Sequence, residues 1–548
     1  MKRIVKKIAL CTLSFVALLF AMTGCKDYLS EPEPGATKLE DYFTSSTAYI
    51  QVVNGCYVPL MWEFNQTYYS EWFIGDIVSD DALKGGENVN DMAMVLEMEN
   101  WKVNSINSLL LDFYRAQYQG IGRCNLALQY LPNAETDTIF TESQKNRLIG
   151  EVEFLRAYYY FRLLRVFGGV PLTTKPITDT KDWEMARASV EEMFSQIIAD
   201  LTDAQSKLWK KSEYDASDLG RATQGAAQAM LQKVYLYMAS PYWANQVSSS
   251  SAENYKHAKD WGQKVISSGE YDLVSNYKDQ FLLSGENGKE SVFEIQYANA
   301  DWGDYGGNGY TAGSFTQVLV RSRTTDIGSG WGFNRPTWNL YYEFETGDPR
   351  RAVAILNPPT DLGKDEESYH GTTLLNRKYG MYDEFMGKNP YHDARGPLNN
   401  KQIRYADVLL MQAEVCCALG NDAEAIGYLN QVRNRVGMTP YVDASSYTII
   451  TDAGAGVAGT PKNPTLQDAI RHERRVELAM EAHRWYDLVR WYGGASGELA
   501  HYFNVDYPKT ETSAVDDMGK FRAGVNEIFP IPAEEMELNS ALEQNYGY

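Results

Sequence analysis

Apolar residues recur at helical spacing through most of the first 300 positions. Tyr49, Val52, Val53, Cys56, Tyr57 and Leu60 follow the i, i+3, i+4, i+7 rhythm of one helix face. Residues 109–128 and 148–167 repeat that rhythm. Ser189-Val190-Glu191-Glu192 reads as a capping box opening a helix that runs to about residue 209. In 221–240 alanines and a glycine interleave with Leu231, Val234, Tyr235 and Met238, which lets a neighbouring helix approach closely. A further helix over 252–268 is stopped by Gly269.

These helices come in pairs with short connections, small residues on one face and Tyr, Leu or Trp on the other. The pattern predicts a mainly all-α fold, a tetratricopeptide-like helix-pair scaffold whose period is too irregular for a clean repeat. From 285 to 400 the texture changes. Gly303, Gly306, Gly307, Gly309, Gly313, Gly328, Gly330 and Gly332 punctuate loops and short strands. Helix returns over 403–419, 421–436 and 466–493, with a Gly-, Pro- and Asn-rich loop over 437–465.

The first 24 residues stand apart from this pattern. Lys2, Arg3, Lys6 and Lys7 precede an apolar stretch over 8–22 that is shorter than an ordinary membrane span. It ends in Met22-Thr23-Gly24-Cys25, which looks like a bacterial lipobox with Cys25 as the lipidated residue. We therefore expect a lipoprotein signal peptide over 1–24 and a lipidated tether over 25–40, the latter carrying Pro32, Pro34 and Gly35. A helical region over 41–284 and a C-terminal region over 285–548 complete the expected organisation. The alternative is an ordinary signal peptide with an incidental cysteine.

Charge narrows the function. With 72 acidic and 51 basic residues the formal charge is −21, and loss of the signal takes it to −25. Nucleic acid is a poor partner for such a chain, because affinity for it comes from Lys and Arg neutralising phosphates. Cys56, Cys124, Cys416 and Cys417 are too few for a disulfide framework, and adjacent Cys416 and Cys417 read as small buried hydrophobes.

Enzyme motifs fail on inspection. Gly454-Ala455-Gly456-Val457-Ala458-Gly459 spells GxGxxG, but Pro461 and Pro464 follow where a dinucleotide site needs a helix. His472-Glu473 begins a zinc-protease string, yet its second histidine position is Val476. Asp80-Asp81 is the most conspicuous carboxylate pair and reads as a helix or turn cap. No catalytic residue and no metal ligand is assigned, although the acidic composition leaves room for a bound calcium ion.

Four strings carry a resemblance. They are EFLRAYYYF running into FGGVPL over 153–172; IRYADVLLMQAE over 403–414 with LNQVRNR over 429–435; ERRVELAMEAHRWYDLVRW over 473–491; and FPIP over 529–532 with the terminal QNYGY. With the lipobox they resemble the SusD/RagB family of Bacteroidetes outer-membrane lipoproteins, in that family's order. Physically the strings read as fold. In the third, Val476, Ala479, Met480, His483 and Tyr486 form an inward stripe, Arg474 and Glu477 pair on the outer face, and Arg484, Asp487 and Arg490 anchor loops. The resemblance implies a non-catalytic, surface-exposed protein, lipid-anchored in the cell outer membrane. It would bind oligo- or polysaccharide and act as the lid of a SusC-type TonB-dependent transporter. Two alternatives stay open: a peptide-uptake lid of the same family, and a lipid-anchored glycoside hydrolase.

Sugars are read by aromatic faces and by side chains that bond hydroxyls. The best concentration of both is the Gly-rich segment 297–310, where Trp302, Asp304, Tyr305, Asn308 and Tyr310 are the expected ligand contacts. The stretch 79–86 resembles a site-lining segment of the family, which adds Asp81 and Lys84. Trp62 and Trp72 read as core, Trp331 as part of a structural loop. Arg321 and Arg323 serve equally as loop anchors or partners of an acidic sugar.

Overall fold

The computed structural model describes residues 43, 45–63, 71–138, 140–299, 312–366, 372–387, 391, 395–452, 454–455, 462–510 and 519–548. The chain divides into two compact units, one ending at Gln51 and one spanning Val52–Tyr548. The helices of nine residues or more are α1 (Ser46–Tyr57), α2 (Ser108–Tyr130), α3 (Glu142–Phe167), α4 (Val190–Lys207), α5 (Gln224–Ala239), α6 (Ser251–Ser267), α7 (Tyr405–Ala418), α8 (Asp422–Arg435), α9 (Leu466–Glu477) and α10 (Arg484–Tyr492). The strands are β1 (Ala82–Gly85), β2 (Ser291–Ile295), β3 (Phe333–Pro336), β4 (Ile355–Leu356), β5 (Leu375–Asn376), β6 (Asn400–Arg404), β7 (Ile450–Thr451) and β8 (Gly454–Ala455). Among the described residues they form antiparallel pairs: β1 with β3, β2 with β6, β4 with β5 and β7 with β8. The fold is mainly α-helical, as the periodicity predicts.

Each helix from α2 to α8 packs on the next in the chain, and α9 packs on both α7 and α8. The predicted capping box at Ser189–Glu192 is present, and Thr141 with Gln144 makes another at the start of α3. Helix α2 can lie against α3 because Gly120 has no Cβ; one placed there would come 2.4 Å from the ring of Tyr159. Cys56, Cys124 and Cys416 are buried thiols and Cys417 is half-buried.

Two elements differ from the sequence reading. Helix α3 is not amphipathic: every residue from Arg147 to Phe167 is buried. Its charges are balanced inside the protein, by Arg156 with Asp200 at 2.7 Å, Arg165 with Glu71 at 3.2 Å and Glu153 with Lys207 at 2.6 Å. The helix expected over 466–493 is broken between α9 and α10, with Met480 and Ala482 both at φ 63°. Tertiary partners hold the break. The Glu477 carbonyl accepts from Tyr277 Oη at 2.6 Å, Arg404 Nη2 at 3.1 Å and Lys378 Nζ at 3.3 Å, which occupies an orphan acceptor of the α9 C-terminus. The Ala482 N–H donates to Asp76 Oδ1 at 2.9 Å, and Gly75 lies so close that a Cβ there would meet Ala482 O at 2.2 Å.

Arg474 and Glu477 do not form the expected outer-face pair, for both are buried. Arg474 binds Asp407 at 2.6 Å and Asp487 at 2.7 Å. Glu477 takes Arg435 at 2.5 Å, Arg404 at 3.0 Å and Arg350 at 3.0 Å. Glu473 binds Arg433 at 2.6 Å, and Glu481 binds Lys378 at 2.6 Å and Arg404 at 2.7 Å. A buried carboxylate is tolerated only with such compensation, and removing one member strands the others.

Glu477→Gln should therefore lower the unfolding free energy by about 3–5 kcal/mol. Glu424→Gln, at the more exposed pair with Lys259, should cost at most about 1 kcal/mol. Urea unfolding followed by tryptophan fluorescence compares the two, and equal losses would refute the importance of burial. A pH signature follows from His472. Burial alone would lower its pKa, but hydrogen bonds to Glu343 and Glu345 outweigh this and hold it up at about 9. The unfolded imidazole titrates near 6.5, so the stabilisation is complete below that pH and is lost as pH rises through 9. Its contribution should fall by up to about 3 kcal/mol over that window. Thermal unfolding of His472→Gln across the same pH range should show a flatter profile.

Candidate functional site

Trp302, Asp304, Tyr305, Asn308 and Tyr310 lie outside the described residues, as does the lipidation candidate Cys25. What the structure does show is how the ends of their segment are built. Strand β2 leads into it and is held by β6, with Ile295 opposite Asn400. Just beyond β2, the Tyr297 N–H donates to Asn399 Oδ1 at 2.8 Å. The Ala298 N–H then donates to the Ala312 carbonyl at 2.7 Å, which closes the base of the segment.

The carboxylate of Glu63 joins both ends. Its Oε1 accepts from Tyr297 Oη at 2.9 Å and Thr316 Oγ1 at 3.0 Å. Its Oε2 accepts from Ser314 Oγ at 2.9 Å, the Phe315 N–H at 2.7 Å and the Thr316 N–H at 3.1 Å. Burial raises the Glu63 pKa, and the hydrogen bonds from Ser314, Phe315, Tyr297 and Thr316 act against that rise. Ser314 also exchanges backbone hydrogen bonds with Gly396, at 2.7 and 2.9 Å. Tyr297 on one side of the segment and Ser314, Phe315 and Thr316 on the other are thus tied to Glu63, and Ser314 also to Gly396. Nothing local marks Glu63 in the sequence; its donors lie more than 230 positions away.

Trp72 is core, as expected, and its indole N–H donates to Thr316 Oγ1 at 3.3 Å. Trp62 is also buried. Trp331 packs edge-on against Phe315 with centroids 5.2 Å apart. Arg321 acts as a loop anchor, donating to the carbonyls of Gly328 at 2.8 Å, Phe385 at 2.6 Å and Gly380. Arg323 is half-exposed and pairs with Glu87 at 3.2 Å.

Asp81 and Lys84 are placed differently from the sequence expectation. Both are 1% exposed and spent within the fold. Asp81 binds Arg475 Nε at 2.8 Å; burial pushes its pKa up to about 6 against the pull of that guanidinium. Lys84 donates to the carbonyls of Asp91 at 2.7 Å, Gly85 at 2.9 Å and Asn88 at 3.2 Å. Asp80 is no turn cap either. It takes both arms of Arg484 at 2.7 and 2.8 Å and the Tyr502 hydroxyl at 2.6 Å. The physical reason is shared: β1 is interior, paired with β3 through Ala82–Pro336 and Leu83–Arg335. Among the described residues no group of three or more His, Cys, Asp or Glu is arranged to hold a metal ion, and no helix is long and apolar enough to cross a membrane.

Comparison with known proteins bears on both halves of the chain. Residues 360–548 match the model of the SusD family, and residues 27–236 match one described as starch-binding, associating with outer membrane. The chain belongs to the SusD family. A SusD-like protein of Bacteroides ovatus is 26% identical, over 95% of this chain and 90% of its own. SusD-like protein P2 of Formosa agariphila is 25% identical, over 98% and 99%. The solved structure of a laminarin-binding SusD-like protein superposes with a TM-score of 0.74 at 28% identity, covering 92% of this chain and all of that one.

Within this SusD-family fold, Glu63→Ala should leave five donors without their acceptor and cost about 2–4 kcal/mol. Glu63→Gln should cost less, because its amide oxygen still accepts. Hydrogen exchange of the 312–316 amides checks this: faster exchange is expected there in Glu63→Ala than in Glu63→Gln, and unchanged exchange in both would exclude the carboxylate as a clamp.

Proposed function

We propose that this protein is a glycan-binding lipoprotein of the outer membrane, anchored through Cys25, that captures oligo- or polysaccharide. It hands the glycan to a SusC-type TonB-dependent transporter and performs no chemistry on it. The observation that carries the reading is the near full-length likeness to a laminarin-binding SusD-like protein, supported by the starch-binding, outer-membrane-associating family model over the N-terminal half. Trp302, Tyr305 and Tyr310 supply faces for the C–H side of a pyranose ring, and Asp304 and Asn308 bond its hydroxyls. The clamp at Glu63 supports this role: one buried carboxylate fixes Tyr297 relative to Ser314, Phe315 and Thr316, the described residues on either side of that segment.

Affinity electrophoresis in laminarin and in starch tests the reading. The mature chain should be retarded by at least one of them, with no reducing ends released. Trp302→Ala should weaken that interaction about tenfold or more, consistent with a lost stacking partner worth over 1.4 kcal/mol. Retention by neither glycan, or release of reducing ends, would overturn it; binding of oligopeptides in their place would point to a peptide-uptake lid.

A further inference from the structure

We infer that a cleft between α9, α10 and residues 498–506 is a second saccharide site, which takes the end of a short neutral oligosaccharide. It has a volume of about 360 Å³, a size within the range of small-ligand sites, and its described lining residues all fall outside the Gly-rich segment. Arg471 of α9, Trp491 and Tyr492 of α10, and Glu498, Tyr502 and Asp506 beyond it form the walls.

Arg471 sets this cleft apart. The arginines around it are all neutralised: Arg474 by Asp407 and Asp487, Arg475 by Asp80 and Asp81, Arg484 by Asp80, Arg490 by Glu414 and Asp487. Among the described residues Arg471 has no carboxylate within ion-pair distance, in a chain with a formal charge of −21. Its guanidinium lies 4.8 Å from the ring centroid of Tyr492 and 5.1 Å from that of Trp491. Nη1 donates to the Tyr492 hydroxyl at 3.0 Å. Two rings and a hydroxyl therefore hold the fork in place while other donors remain unspent.

The sign pattern selects the ligand class. The deeper charges are balanced from behind, with His472 between Glu343 and Glu345 and Arg484 on Asp80. At the rim, Arg471 offers donors while the exposed Glu498 offers acceptors; Asp506 beside it takes His501 Nε2 at 3.5 Å. A pair of adjacent sugar hydroxyls can accept from the guanidinium fork and donate to a carboxylate, and it brings no charge of its own. An anion would be repelled by the rim acids, and a cation by Arg471.

The test is isothermal titration of the full mature chain with maltohexaose and with laminarihexaose, read for stoichiometry. Trp302→Ala should retain a weak site for one of them. Adding Arg471→Ala to Trp302→Ala should weaken that site about tenfold or more, and so should Arg471→Lys, which keeps the charge but loses the fork. Unchanged thermal unfolding confirms that both variants remain folded. Loss of all binding in Trp302→Ala alone overturns this inference and leaves the glycan reading standing. Binding abolished by Arg471→Ala but untouched by Trp302→Ala supports the cleft and overturns the assignment of the Gly-rich segment. Residual binding insensitive to Arg471→Ala and Arg471→Lys, or no binding of either hexasaccharide, overturns the cleft.

Discussion

Glu473, Glu477 and Glu481 recur every four residues and are all buried. Burying three carboxylates is prohibitive unless each meets cations in good geometry. Those cations come from far along the chain: Arg350, Lys378, Arg404, Arg433 and Arg435. The requirement to neutralise one acidic stripe therefore ties the irregular middle of the chain to its C-terminal helices. Arg404 is also the last residue of β6, the strand that pairs with β2 and leads to the ends of the Gly-rich segment. The ionic interior and the candidate ligand region share that strand.

The same economy of charge recurs on a smaller scale. Among the described residues Glu63 is met by five neutral donors and not by a cation. Two of these are backbone amides of consecutive residues, Phe315 and Thr316, which a carboxylate accepts well at the start of a helical turn. The Asp80–Asp81 pair is the opposite case, held by two arginines. A conspicuous acidic pair thus proved structural, while the acid that organises the ends of the Gly-rich segment is an isolated one. The net charge of −21 consequently says little about individual sites: many acids face inward against arginines, and Arg471 stands out because, among the described residues, it lacks the carboxylate partner its neighbours have.

Much of the scaffold was legible in the sequence because helical periodicity and capping are local. Residues 189–209, 221–240 and 252–268 formed helices close to the expected bounds. The errors were also physical. Periodicity takes polar residues as outward, so α3 read as amphipathic and Arg474–Glu477 as a surface pair, whereas ion pairs from other elements allowed these residues to be interior. The break at 478–483 was invisible because Met480 and Ala482 have no local reason to leave the helix; Asp76, Gly75, Tyr277, Lys378 and Arg404 supply it.

By itself the sequence determined the helix-rich class, the order of the elements and the family resemblance, since each depends on neighbours within a few positions or on contiguous strings. Only the tertiary structure decided that Asp81 and Lys84 are interior, that Glu63 joins the residues on either side of 300–311, and that Arg471 lines a cleft without a carboxylate partner among the described residues. Each of these depends on which distant groups come within about 3 Å of a charge, the range at which hydrogen bonding and neutralisation outweigh desolvation.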